Sequence, residues 1–204
     1  MTIDRSRCAA AVLCGGTSRR MGQPKAWLPF GGEPLLARVV RSVELVVEFV
    51  VVVAAQTQDL PPLPESVRVV RDRRSDSGPL EGLSTALSAL DGQADVVFVC
   101  GCDMPLVMAA VVEFVLHEIE DHDAAVPRVG GLYQPLCAAY RPTVAAEVEK
   151  MIANGDLRMT SLMGRIRTRT IEPDELRAID PDLRSLRSCN TPEEYRALLE
   201  VAGL

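Results

Sequence analysis

The sequence predicts a single α/β domain, with a mostly parallel twisted sheet, helices on both faces and a more mixed C-terminal part. Short apolar runs alternate with segments of helical periodicity over the first ~125 residues, the pattern that right-handed strand–helix–strand crossovers produce. The 204 residues, 48% of them hydrophobic, suffice for one ordinary core, and no linker, repeat or low-complexity tract divides them.

The elements follow in order. Cys8 to Cys14 (CAAAVLC) is a short apolar run that ends at Gly15-Gly16, a buried first strand delivering a glycine turn. A loop runs to Gly32, after which Leu35, Leu36, Val39, Val40 and Val43 fall at helical spacing. Phe49 to Ala54 (FVVVVA) is rich in β-branched valine and predicts a strand buried on both faces. The polar, Pro-rich stretch from Gln56 to Pro64 is a loop, and Val67 to Arg71 a short strand. Leu80, Leu83, Leu87 and Leu90 mark a helix, Val96 to Cys100 a strand, and Met108 to Ile119 another helix. Ala124 to Val126 and Leu136 to Tyr140 read as strands; a helix opens at Pro142 and stops at Asn154-Gly155, and Arg167 to Ile171 forms a late edge strand. Thr191-Pro192-Glu193-Glu194 is a helix start with Thr191 as N-cap and Glu194 closing a capping box.

Composition narrows the function classes. A net charge of −6 lacks the basic excess that wrapping a nucleic acid requires, so no nucleic-acid partner is expected. The longest apolar stretch, Val43 to Ala55, is broken by Glu44 and Glu48 and is shorter than the roughly 20 residues of a membrane span. The polar N-terminus has no secretory apolar region, so the expected place is the cytoplasm, away from membranes. The six cysteines form no C-x-x-C pair and read as reduced core thiols. The two histidines, His117 and His122, lie in an acidic stretch away from the cysteines and read as solvated helix-end residues. No nucleophile elbow or Cys–His pair is evident, which disfavours acyl transfer and hydrolysis.

The chemistry concentrates in Leu13-Cys14-Gly15-Gly16-Thr17-Ser18-Arg19-Arg20-Met21-Gly22-Gln23-Pro24-Lys25. In an open α/β sheet, ligands bind beyond the carboxyl ends of the strands, and a glycine pair there lets backbone amides approach phosphate oxygens. Arg19, Arg20 and Lys25 add three cations, which suits a polyphosphate. The string is neither G-x-x-x-x-G-K-[ST] nor G-x-G-x-x-G, so a P-loop kinase and a dinucleotide dehydrogenase are disfavoured. Asp103, just past the strand that ends at Cys100, lies at the same sheet edge and offers Mg²⁺ a hard oxygen ligand, or caps the following helix. Gly78 to Gly82 brackets a helix start whose amides favour an anion or a ribose hydroxyl, or serves as plain turn chemistry.

The whole string L-x-G-G-x-S-R-R-M-G-x-x-K resembles the signature of nucleotidyltransferases that act on small acceptors, in particular the molybdenum cofactor guanylyltransferases. The resemblance continues in register. Gly31 to Leu36 looks like the family's G-x-x-L-L helix start, Gly78-Pro79-Leu80-Glu81-Gly82 like its G-P-L-x-G, and Cys102-Asp103-Met104-Pro105 like its C-D-x-P. Asp72 falls where the family has an aspartate near the guanine nucleotide; as a loop residue among Arg71, Arg73 and Arg74 it also reads as an ion-pair partner. Ser188 to Glu194 is similar to the family's N-x-N-T-P-E-E, with Ser188 in place of the first asparagine. Cys14 stands where the family commonly has Ala and Pro24 where it has Asp, and its nucleoside-side Asn appears here as Ala54 or Ala55, for which Gln56 is a substitute.

The resemblance implies a Rossmann-like nucleotidyltransferase whose residues 1–125 hold the NTP and residues 126–204 the acceptor. Lys25, Asp103 and Arg19 are then the catalytic set, with Mg²⁺ on Asp103. Leu13, Cys14, Gly15, Gly16, Thr17, Lys25, Asp72, Gly78, Pro79, Leu80, Gly82 and Asp103 line the GTP site. Gln134, Pro135, Arg158 and Asn190 face the molybdopterin-type acceptor, and partners that receive the finished cofactor are transient. The implied reaction is in-line attack of the acceptor's terminal phosphate on the α-phosphorus of GTP, releasing pyrophosphate; it needs no base, because a phosphomonoester with a second pKa near ~6 is already ionised. A cytidylyltransferase or sugar-phosphate nucleotidyltransferase shares the same loop, Lys and Asp. The double glycine at Gly15-Gly16 leans towards guanine, since cytidylyl enzymes more often show A-A-G. A non-catalytic nucleotide- or pterin-binding adaptor has little need of both Lys25 and Asp103.

Overall fold

The apolar runs that lack alternation become strands because their sheet is covered on both faces. The structure, a computed structural model, describes residues 5–15, 21–74 and 78–204. The chain runs through β1 (Cys8–Leu13), a 3-10 turn (Lys25–Trp27), the short strands β2 (Pro29–Phe30) and β3 (Glu33–Pro34), and α1 (Leu35–Glu44). It continues as β4 (Phe49–Ala54), β5 (Val67–Arg71), α2 (Gly78–Leu90), β6 (Val96–Gly101) and α3 (Ala109–His117). Then come β7 (Ala124–Val129), β8 (Leu132–Tyr133), β9 (Cys137–Tyr140), α4 (Ala145–Ala153), α5 (Met159–Leu162), β10 (Thr168–Ile171), α6 (Pro173–Arg177) and α7 (Pro192–Ala202).

The main sheet has the order β10-β7-β9-β6-β1-β4-β5, with β8 folded back on β7. Strands β6, β1, β4 and β5 run parallel to one another, β9 is antiparallel to both of its neighbours β6 and β7, and β10 is parallel to β7. The expected parallel half and mixed C-terminal part are therefore both present. Strand order runs from β1 to β4 and β5 on one side and to β6 on the other, so the chain changes direction between β1 and β6. The crevice at the carboxyl ends of those two strands is where such sheets bind ligands.

Alternation along β1 sends Cys8, Ala10 and Val12 to one core and Ala9, Ala11 and Leu13 to the other. The first core is completed by Leu36, Val39, Val40 and Val43 of α1 and by α3, the second by α2 and α4. Each fully buried Val or Leu contributes about 1.5–3 kcal/mol. A third cluster joins Met21, Leu28, Phe30 and Leu35 to Cys189 and Leu198, which docks α7 against the segment after the glycine loop.

Departures from the sequence reading are local. The stretch before Gly32 is not a plain loop: it holds the 3-10 turn and a two-residue hairpin, β2 and β3, that reverses through Gly31 and Gly32, both at positive φ (64° and 85°). The helix expected from Met108 starts one residue later, with Met108 in extended backbone as its N-cap. The helix expected from Pro142 opens with a 3-10 turn (Pro142–Val144) before α4. The short helices α5 and α6 were not anticipated, because four or five residues carry too little periodicity to read. The capping box on α7 is as expected: Glu194 N donates to Thr191 Oγ1 (3.2 Å) and Thr191 N to Glu194 Oε2 (3.1 Å).

Candidate active site

Gly15 follows β1 and Asp103 lies just past β6, on either side of the crevice. Lys25, at the start of the 3-10 turn, reaches between them: its Nζ donates to Asp103 Oδ2 (2.7 Å) and to Asn190 Oδ1 (2.8 Å). The Lys25 and Asp103 side chains are only 16% and 18% exposed, so solvent screens this pair weakly. Backbone bonds set the geometry. Cys102 N donates to Leu13 O (2.9 Å), which ties the two strand ends together, and Cys189 N donates to Asp103 O (3.0 Å), which carries the segment before α7 to the site. Asn190 N donates to Glu194 Oε2 (2.6 Å), so the same cap that starts α7 also holds Asn190.

A second carboxylate stands on the β4–β5 side. Asp72 N donates to Ala54 O (2.9 Å) just past the end of β5. A Cβ on Gly15 would lie 2.9 Å from Asp72 Oδ2, so the carboxylate abuts the glycine-loop backbone and only glycine leaves it room. Asp72 Oδ1 is buried and has no hydrogen-bond partner among the described residues. Burial, with the nearby Glu81 carboxylate adding to it, pushes the Asp72 carboxyl up to about 6. The flanking arginines are engaged elsewhere: Arg71 Nη1 donates to Ala55 O (3.0 Å) and Gln58 O (2.6 Å), Arg73 Nη2 to Ser84 Oγ (2.9 Å), and Arg74 Nη1 to Glu81 Oε2 (2.9 Å). Of the two readings of Asp72, the ion-pair one loses its partners.

Residues 10–170 match the MobA-like NTP transferase domain. The chain belongs to that family. This MobA-like protein is a nucleotidyltransferase, and the resemblance read from its glycine loop is borne out. It is 34% identical over 203 residues to a probable molybdenum cofactor guanylyltransferase of Methanosarcina acetivorans, covering 94% of this chain and 89% of the relative. It is 32% identical over 185 residues to a molybdenum cofactor guanylyltransferase of Desulfosudis oleivorans, covering 90% of each. Its fold matches the crystal structure of molybdopterin-guanine dinucleotide biosynthesis protein A from Archaeoglobus fulgidus with a TM-score of 0.81, at 24% identity, over 96% of this chain and 98% of the other.

The remaining candidate residues of the MobA-like chain separate by position. Gly16, Thr17 and Arg19 lie outside the described residues. Leu13, Cys14 and Leu80 are buried, so only their backbones can meet a nucleotide. Gly82 packs on Leu13, and Gly78 and Pro79 open α2 with exposed surfaces. On the acceptor side, Gln134 N donates to Pro127 O (2.8 Å) and Pro135 O accepts from the Tyr140 hydroxyl (2.9 Å), which shapes the turn into β9. Arg158 is 81% exposed, and its Nε lies 3.5 Å from Asp156 Oδ1 at the N-cap of α5. Asn190 was placed with these acceptor segments, yet its amide oxygen sits on Lys25 beside Asp103. His117 ends α3 and His122 follows in the next turn; both are partly exposed, and His122 Nδ1 lies 3.5 Å from Asp121 Oδ1.

The donor set suits Mg²⁺. A Cβ on Gly101 would lie 2.4 Å from Asp103 Oδ1, so glycine makes a recess for this one hard oxygen ligand. Among the described residues no group of three or more His, Cys, Asp or Glu is gathered. A lone carboxylate beside phosphates is how Mg²⁺ is held when water and substrate fill most of its sites. All six cysteines are buried thiols, and among the described residues no helix is long and apolar enough to cross a membrane.

Two groups of residues escaped the sequence reading. Gln56, the expected stand-in for the family's nucleoside-side asparagine, donates from Nε2 to Arg73 O (3.3 Å), next to Asp72. Gln58 instead bridges the loop to β1, donating from Nε2 to Cys14 O (3.0 Å) and accepting from Ala55 N (3.1 Å). Glu81 is 1% exposed on α2 and meets Arg73, Arg74 and, through them, Glu149 of α4. A charge between Leu80 and Leu83 on a buried helix was the available signal, since such a charge must be paired.

Proposed function

We propose that this enzyme transfers GMP from GTP to the terminal phosphate of molybdenum-bearing molybdopterin, giving molybdopterin guanine dinucleotide and pyrophosphate. The observation that carries the reading is Lys25 bridging Asp103 and Asn190 at the β1–β6 crevice, beside the glycine loop. The relatives named as molybdenum cofactor guanylyltransferases supply the acceptor and the base.

In this reading residues 1–125 form the NTP half and 126–204 the acceptor half. Backbone amides of Gly15, Gly16 and Thr17 hold the phosphates, and Leu13, Cys14, Gly78, Pro79, Leu80 and Gly82 shape the pocket around the nucleotide. Asp72 accepts hydrogen bonds from the guanine edge, which supplies the donors its Oδ1 lacks. Lys25 and Arg19 neutralise charge that grows on the departing pyrophosphate. Gln134, Pro135 and Arg158 orient the acceptor, and Asn190 aligns Lys25 while facing it. Asp103 would hold Mg²⁺, which when bound neutralises phosphate oxygens. The acceptor phosphate arrives ionised, so the chain supplies position and charge and no base. Delivery to a receiving protein follows release of the dinucleotide product.

The test is to incubate the pure chain with Mg²⁺, metallated molybdopterin and each NTP separately, and to measure pyrophosphate. GTP-dependent release is expected. Equal release with CTP or ATP, or release only with a sugar phosphate, overturns the assignment.

A further inference from the structure

A glutamate, Glu81, lies almost completely buried on α2. Glu81 Oε1 accepts from two consecutive amides, Arg73 N and Arg74 N (3.2 Å each), and Oε2 accepts from Arg74 Nη1 (2.9 Å). Those amides belong to the two residues immediately after Asp72. Asp72 N is itself tied to Ala54 O (2.9 Å), so the backbone that carries the carboxylate is held on both sides. Glu149 of α4 completes the arrangement. It accepts from Arg73 Nη2 (2.6 Å), from Arg74 Nη2 (2.9 Å) and from Ser84 Oγ.

A buried ion pair is a weak source of stability, because desolvation offsets its attraction. What this one delivers is geometry and the disposal of two cations. Arg73 and Arg74 follow Asp72 directly in sequence and have the reach to form an ion pair with it; Glu81 and Glu149 take up both guanidinium groups instead. Asp72 Oδ1 is thereby kept without a partner among the described residues. A carboxylate already paired with arginine would be a poor acceptor for a base.

We propose that Glu81, with Glu149 as its outer support, is a positioning residue for base selection: it fixes the Asp72 loop and holds Arg73 and Arg74 off the Asp72 carboxylate. This rests on Asp72 being the guanine acceptor. Neither glutamate touches the nucleotide in this scheme; both act through Asp72.

The experiment measures equilibrium binding of GTP and of ATP, each with Mg²⁺, to the full chain by calorimetry. It compares the parent with Glu81→Gln, Glu149→Gln, Asp72→Ala and the double variant Glu81→Gln/Asp72→Ala, with thermal melting of each. Glu81→Gln is expected to weaken GTP about tenfold and ATP less than about twofold, and to have no further effect in the Asp72→Ala background. Glu149→Gln should move the same ratio less. Equal weakening of both nucleotides, an undisturbed GTP affinity, or additivity with Asp72→Ala overturns the proposal. If Asp72→Ala narrows the GTP-to-ATP ratio and both glutamate variants leave it intact, this proposal falls and the guanine reading stands. If Asp72→Ala leaves the ratio intact, both fall. Should Glu81→Gln fail to fold, the half-buried Glu149→Gln decides.

Discussion

Asn190→Ala isolates the orientation of Lys25. The substitution removes the amide oxygen that accepts from Lys25 Nζ at 2.8 Å and the weaker Nδ2 bond to Ser188 Oγ (3.2 Å), and leaves the backbone bond from Asn190 N to Glu194 in place. Hydrogen bonds to charged groups contribute about 1.5–3 kcal/mol, and partial exposure of the site lets water recover part of that, so the lower half of the range applies. At about 1.4 kcal/mol per factor of ten, kcat should fall roughly 10- to 40-fold. The lysine remains paired with Asp103 at 2.7 Å, so activity is reduced and not abolished. Helix α7 keeps its capping box, and the melting temperature should move by no more than about 2–4 °C. The assay is pyrophosphate release at saturating GTP and acceptor. Turnover within twofold of the parent would refute a role for Asn190 in aligning Lys25, and a raised acceptor KM with unchanged kcat would return it to acceptor binding alone.

Other substitutions test the rest of the site. Asp103→Asn keeps the side chain's shape beside Lys25 and removes its charge, so turnover with Mg²⁺ should fall on the order of 100-fold or more while melting changes little; near-normal turnover sinks the metal assignment. Gly15→Ala would place a methyl 2.9 Å from Asp72 Oδ2 and should weaken GTP binding about tenfold, read by calorimetry, with unaltered affinity counting against the close packing of that carboxylate on the loop. The Asp72 carboxyl is raised to about 6, chiefly by burial and then by Glu81, so its accepting, ionised form is present above that pH and lost below it. The affinity for GTP, read by calorimetry without acceptor, should therefore decline below about pH 6 more steeply in the parent than in Asp72→Ala; a profile identical in parent and variant refutes it.

How much of this was legible beforehand depends on the range of the interactions involved. The strands β1, β4 and β6 announce themselves because a sheet buried on both faces demands unbroken apolar runs, and α7 because its cap is entirely local to Thr191–Glu194. Lys25, Asp103 and the glycine loop were identifiable because phosphate and hard-metal chemistry restrict the residue types that can serve. The meeting of Lys25, Asp103 and Asn190 was not, since it joins positions separated by 78 and 165 residues and depends on the third core cluster docking α7 against the segment from Met21 to Leu35. The assignment of Asn190 to the acceptor side alone reflects that gap. The same holds for Asp72: three neighbouring arginines make an ion pair the obvious local reading, and only packing of α2 and α4 brings Glu81 and Glu149 within reach of the guanidinium groups. Composition and period thus determined the layers and the strand ends, and the motif from Leu13 to Lys25 with the resemblance it carries pointed to the chemical type of the site. Tertiary structure decided which charges pair, because an ion pair is chosen by distance in space, and hydrophobic patterning carries no information about which distant charges the core will bring together.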